Sequence, residues 1–441
     1  MTQRTVSAII AAALVGLGVA AAAHADQPAS TADLQKQLEA LQQQVKDLQA
    51  QRVQTPTYSA KDVDSTVDSV MHDANRRSQL LAESGGFYGG YIDDKFQIRS
   101  EDGSFSLSPS LWFQFRSVTN FNENSQAGGS DNTDNGLEMR RLKLGFDGNA
   151  WSKKLYYNFV WATDRKTGNL VNEEAYIRYQ FADSFAVKAG QYKELFNQES
   201  SVSSKRKLAV DVSLANQILF NGDTYTQGVE LNYDDNNALQ AALGFTDGYS
   251  SLNTNFQDPA TNPFDFGVSG RVQFKLFGDW KSYADFTAMG NKKDLLVVGA
   301  GGDWSQNGDA NVYRYSVDAQ WEVGPIGVYG GFYGRYTDTQ GSASNWDWAL
   351  IVQASYMINS QWEVFGRYDY LKLDNVASGN EDTFHEITAG VNYYVHKHNL
   401  KITVDGSWLP NGSPSNQDAI GVLSNNGDNE FLLRAQLQFF L

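Results

Sequence analysis

Three consecutive cations, Lys205, Arg206 and Lys207, stand beside Ser201, Ser203 and Ser204. Arginine offers a planar fork to an oxyanion, lysine a mobile point charge, and the serines add hydroxyl donors. The same residues also suit a solvated turn, with a serine capping a short helix near Lys205. Hydrolysis has less support. Beyond residue 25 the histidines are His72, His385, His396 and His398. His385 falls on the outward parity of a strand, and His396 and His398 fall in a short turn, without a dry pocket or oxyanion donors. His396-x-His398 alone falls short of a metal site. The chain has no cysteine, which excludes disulfides and thiolate chemistry. No catalytic constellation, metal site or cofactor is expected.

The elements that position these residues follow from composition and pattern. The 441 residues are 41% hydrophobic and 20% charged, too apolar for disorder. A net charge of -16 argues against a nucleic-acid partner, which needs a basic surface. Thirty-nine glycines, eight prolines and 13% aromatics suit a large sheet with aromatic bands, although a soluble acidic β-protein fits them too.

Residues 1–25 read as a signal peptide: Arg4, an apolar run, then Ala23-His24-Ala25, with the mature chain starting at Asp26. Residues 26–54 carry Leu34, Leu38, Leu41, Val45 and Leu48 at alternating steps of four and three, predicting a short periplasmic coiled coil. A single amphipathic helix packed on its own domain is the alternative. Residues 55–95 read as a linker, partly helical around 63–81.

From Phe96 the hydrophobic period becomes two. About sixteen such segments between 106 and 441 approach the ~9–11 residues of a tilted membrane strand. Connections alternate between long polar loops, such as 122–136 and 247–265, and tight turns, such as Gly324-Pro325; 278–293 is too long for a turn. A sandwich or propeller alternates as well. The export signal, outward aromatic ends and a last strand closing on Phe439-Phe440-Leu441 favour a transmembrane antiparallel β-barrel over residues 96–441. The longest connection, near 192–225, carries the basic triplet and is expected to fold into the lumen.

Four stretches, Arg99–Gly103 (RSEDG), Arg140–Gly148 (RRLKLGFDG), Glu174–Arg178 (EAYIR) and Gly190–Glu194 (GQYKE), resemble the phosphate-selective porin O and P family. The resemblance covers most of 96–441. It implies a trimer of sixteen-stranded barrels, each narrowed by its third extracellular loop. Two positions depart from it: Leu195 stands where members commonly have proline before Phe196, and Leu441 replaces a terminal phenylalanine.

Strict alternation places Arg116, Arg141, Lys143, Arg178 and Lys188 on the inner wall. Inward acids include Asp147, Asp318, Glu363, Asp369, Glu386 and Asp405, so an ion pair with the next strand competes for each cation. The remaining acids, Asp223 and Asp303 among them, are expected in loops and turns as solubilising groups or divalent-ion sites against lipopolysaccharide. Three functions follow. The first is a bacterial outer-membrane porin passing small anions, phosphate or related oxyanions, through a basic constriction. The second is a general or sugar-permeable porin lined by aromatics. The third is a tether whose coiled coil reaches peptidoglycan.

Overall fold

The computed structural model describes residues 31–52, 68–69, 86–92, 95–123, 132–256, 264–290, 293–423 and 427–441. The predicted signal peptide and His72 lie outside these. The chain divides into two units, residues 1–84 and 85–441. In the first, helix α1 (Thr31–Arg52) carries the predicted seam, of which Leu38, Leu41 and Val45 are exposed. The helix forms as expected; a single chain does not show a coiled coil.

The second unit is a closed antiparallel barrel. Its strands are β3 (Ser106–Asn122), β4 (Thr133–Ala150), β5 (Ser152–Thr163), β6 (Leu170–Ala182), β7 (Phe185–Lys193), β8 (Tyr225–Asp234), β9 (Leu239–Thr246) and β10 (Phe266–Phe277). The wall continues with β11 (Leu295–Asn307), β12 (Ala310–Val323), β13 (Ile326–Thr339), β14 (Asn345–Met357), β15 (Trp362–Lys372), β16 (Thr383–His396), β17 (Leu400–Leu409) and β18 (Glu430–Phe440). Each pairs with the next, and β18 closes on β3 from Glu430↔Asn122 to Phe440↔Trp112. Closure leaves no edge, as hydrocarbon requires. Alternation then decides the faces: Val352 and Leu433 stand about half exposed on the outside, while Gln353, Arg367 and Arg434 are buried inside.

Three local features depart from the sequence-based expectation. The span read as a linker contains a strand, β1 (Phe87–Ile92), which forms a hairpin with β2 (Lys95–Ser100). β2 joins β3 through Ile98↔Leu107 and Arg99↔Ser106. The overlong connection after β10 starts with a short helix, Trp280–Tyr283, and sends Phe286 inward onto Tyr329, ring centroids 5.0 Å apart. Its Asp285 Oδ2 lies 2.6 Å from His398 Nε2, joining it to the turn that was considered as a metal pair. Strict alternation also fails at several register shifts, two of which bear on the lumen. Gln114 pairs with Arg141 and Phe115 with Met139, so Arg140 is an extra residue in a β-bulge. Val160 pairs with Glu174 and Trp161 with Asn172, which makes Glu173 another.

Candidate functional site

The connection between β7 and β8 folds into the lumen. It contains a short helix, Gln198–Ser201, a 3-10 turn, Ser204–Arg206, and helix α2 (Leu214–Phe220). Its apolar side chains, including Phe196, Leu208, Leu214 and Phe220, are buried against Tyr333, Ile351, Phe365 and Phe384 of the wall. A buried loop must still satisfy its backbone. Wall carboxylates do so by accepting from it: Leu214 N–H donates to Glu386 Oε2 at 2.8 Å, Ala215 N–H to Asp369 Oδ2 at 3.2 Å, and Val210 N–H to Asp405 Oδ2 at 2.8 Å. Wall cations donate to its carbonyls: Arg271 to Phe196 O at 3.0 Å, Arg335 to Ile218 O at 3.0 Å and Lys401 to Lys207 O at 2.8 Å. Gly301 is small for the same reason, because a Cβ there would meet Phe196 O at 2.0 Å.

The inner charges of β10–β18 are therefore spent on seating the loop and on one another. Asp318 pairs with Arg271, Asp303 with Arg314, Asp347 with Arg335, Glu386 with Arg367 and Asp405 with Arg434. The expectation that Asp303 belongs to a loop is corrected: it is buried on the inner face of β11, 2.8 Å from Arg314. By contrast, inner residues of β5 and β6, such as Tyr156, Asn158, Tyr176 and Arg178, are only half-buried. The loop fills one side of the lumen and leaves the β5–β6 side more open.

At the border between the two sides, five cations converge on two loop carboxylates. Asp211 is reached by Arg116, by Arg140 at 2.9 Å and by Arg141 at 3.5 Å. Asp223 is reached by Arg141 at 3.7 Å, Lys193 at 3.1 Å and Lys207 at 2.7 Å. Positive charge exceeds negative charge in this lattice, and Arg140, Arg141, Lys193 and Asp223 keep part of their surface exposed. Burial opposes ionisation of both aspartates, yet the surrounding cations hold each carboxyl well below its usual range. Asp223 was expected among external loop acids; it belongs instead to the lumen.

The eight residues singled out from sequence meet different fates. Arg116 is buried and also contacts Glu138 at 2.6 Å, and Arg141 Nη1 donates to Gln114 Oε1 at 3.0 Å. Lys143 pairs with Glu173 and lies 4.8 Å from the Trp112 ring centre. Lys188 pairs with Glu230 at 2.7 Å over the Tyr192 ring. Arg178 has no carboxylate within salt-bridge distance among the described residues. The basic triplet divides. Lys207 is buried in the lattice, whereas Lys205 and Arg206 lie near the short-turn end of the barrel. Lys205 O accepts from Gln438 Nε2 at 3.0 Å, its Nζ sits 5.5 Å from the Phe440 ring, and Arg206 reaches Ala284 O at 3.4 Å. Burial, then the charges of Arg206 and Lys95, push the Lys205 amine down to about 8. Sequence reasoning missed Arg140, hidden by its bulge, and Asp211. Among the described residues no cluster of three or more His, Asp or Glu could hold a metal ion.

A family model for phosphate-selective porins O and P matches residues 115–439. Among solved structures, the chain is similar to an anion-selective porin from Comamonas acidovorans, at 12% identity, over 76% of this chain and 100% of that one, with TM-score 0.53. It is similar to OmpF of Salmonella typhi in complex with daunomycin, at 15% identity, over 76% and 98%, with TM-score 0.54. In-vitro folded OmpT of Vibrio cholerae in trimer form matches at 12% identity, over 76% and 99%, with TM-score 0.50. At these identities the likeness establishes the barrel fold.

Proposed function

The chain belongs to the phosphate-selective porin O and P family, and from that premise we propose that this outer-membrane porin passes small anions, phosphate or related oxyanions, by passive diffusion along the β5–β6 side of its lumen. One observation carries the reading: five cations, Arg116, Arg140, Arg141, Lys193 and Lys207, share the two carboxylates Asp211 and Asp223. A surplus of fixed positive charge at a narrow point replaces part of an anion's hydration and repels cations. Arg178 and Lys188 extend the basic strip along the wall, Lys143 stands beside it, and Lys205 and Arg206 act at the short-turn mouth. Reversal potentials across planar bilayers in a KCl gradient test this. Chloride preference is expected, reduced by Arg141→Ala; a cation-selective channel would refute it.

Assembly is read from a second observation. Leu38, Leu41 and Val45 are exposed on α1, and a helix of 22 residues with a heptad seam is marginal alone. Three copies joined by their helices would cover that seam. The periplasmic placement of α1, and any contact with peptidoglycan, belong to the same proposal. Leu38→Asp with Leu41→Asp is expected to weaken cross-linking between N-terminal segments while barrels remain folded; undiminished cross-linking would count against it.

A further inference from the structure

Beside the basic lattice, on the more open side, lies a cavity of about 260 Å³. Liquid water takes ~30 Å³ per molecule, so this is more room than one tetrahedral oxyanion fills. Two of its cations are also already matched, Lys143 with Glu173 and Lys188 with Glu230 at 2.7 Å, while Lys193 shares Asp223 with the lattice. A bare anion gains less there than at the lattice, because the charges of Lys143 and Lys188 are largely neutralised. The cavity instead presents four aromatic rings, Trp112, Tyr176, Tyr192 and Tyr225. Trp112 and Tyr176 are only half-buried.

A second, independent feature concerns hydroxyl groups. Ser203 Oγ, Ser204 Oγ and Tyr192 Oη are buried without a hydrogen-bond partner, and all three residues line this cavity. Glu174 and Asp223 line it too and supply acceptors. Aromatic faces combined with unspent donors and carboxylate acceptors suit a hydroxylated ring, whose C–H face stacks while its hydroxyls exchange hydrogen bonds. A plain aromatic acid would leave the serines unpaired. Asp223 belongs to both the cavity and the lattice, since it contacts Arg141 at 3.7 Å and Lys207 at 2.7 Å. A ring held in the cavity therefore has the Arg141 guanidinium and the Lys207 ammonium beside one of its walls.

We infer that the preferred permeant is a phosphorylated sugar, its ring held among Trp112, Tyr176 and the Ser203–Ser204 hydroxyls and its phosphate directed to Arg141. This rests on the anion-porin reading above and adds to it a site for the ring.

Single-channel block in planar bilayers tests it, with glucose 6-phosphate, inorganic phosphate and glucose as probes and the reversal potential measured in the same membranes. Glucose 6-phosphate is expected to block the wild-type channel at a lower concentration than either other probe. Tyr176→Ala should raise its half-blocking concentration about fivefold, the scale of one lost aromatic contact, and leave that of inorganic phosphate unchanged. Equal block of the wild type by glucose 6-phosphate and inorganic phosphate would overturn the ring site even if the variant failed to fold. So would a variant that shifts both probes alike. An anion-selective channel without ring preference would overturn this inference and leave the anion reading standing. A cation-selective channel blocked equally by glucose and its phosphate would remove both.

Discussion

Arg140 on the barrel wall donates from Nε to Asp211 Oδ1 at 2.9 Å, across a lumen-facing contact between residues 71 positions apart. The contact exists because a β-bulge turns Arg140 inward beside Arg141, whose own guanidinium reaches the same carboxylate oxygen at 3.5 Å. Asp211 thus pins the inward loop while spreading one negative charge over three arginines. Replacing it with asparagine is expected to raise the anion-to-cation permeability ratio and, because buried cations lose their partner, to lower barrel stability by ~3 kcal/mol. Reversal potentials and urea unfolding in detergent read the two effects. A fall in anion preference would contradict this account of the lattice.

The bulge itself can be tested by chemical labelling, since the chain has no cysteine of its own. Arg140→Cys and Arg141→Cys are both expected to react with a membrane-impermeant, water-soluble thiol reagent, and Leu142→Cys to be protected by lipid. Without the bulge, adjacent residues would face opposite sides, and labelling at 141 alone would show that.

Lys205 should give the channel a pH dependence. Its amine is pushed down to about 8, first by burial and then by Arg206 and Lys95. The cation is present at pH 7 and lost as the pH rises through about 8, so anion preference should fall between pH 7 and 9.5. Lys205→Arg, which keeps its charge over that range, should reduce that step. Lys207 is likewise pushed down to about 8, by burial that its pairing with Asp223 only partly offsets. For both lysines the folded value lies below the ordinary 10.5. The unfolded chain therefore binds more protons between about 8 and 10.5, and their contribution to stability should rise with pH in that window. A selectivity step of unchanged size in Lys205→Arg would assign it elsewhere.

Glu386 is expected to matter more for the loop than for permeation directly. It accepts from the Leu214 N–H at 2.8 Å and from Arg367 Nη2 with both oxygens at 3.1 Å. Glu386→Ala takes the bidentate carboxylate from a buried guanidinium and leaves a helix-start N–H unpaired, at a cost of about 3 kcal/mol. Faster hydrogen exchange over 208–220 and noisier open-channel current should accompany the loss. Exchange rates unchanged from wild type would mean that packing alone seats the loop.

Sequence alone determined the wall. Side-chain direction alternates along a strand, so a run such as Phe431 to Phe440 states which residues face lipid, and closure follows because hydrocarbon tolerates no unpaired backbone. Loop lengths likewise marked the connection near 192–225 for the interior and the overlong turn after Phe277 as irregular. Tertiary structure decided which charges remain available to a permeant. A bulge adds one residue and reverses the parity beyond it, with little trace in hydrophobic pattern where the added residue is Arg140 beside Arg141. The pairing of Asp211 with Arg116, or of Lys401 with the Lys207 carbonyl, joins segments about 95 and 194 positions apart. Such contacts depend on where the loop comes to rest, and its resting place follows from burying Phe196, Leu214 and Phe220 against the β13–β16 side of the barrel, which no local periodicity encodes.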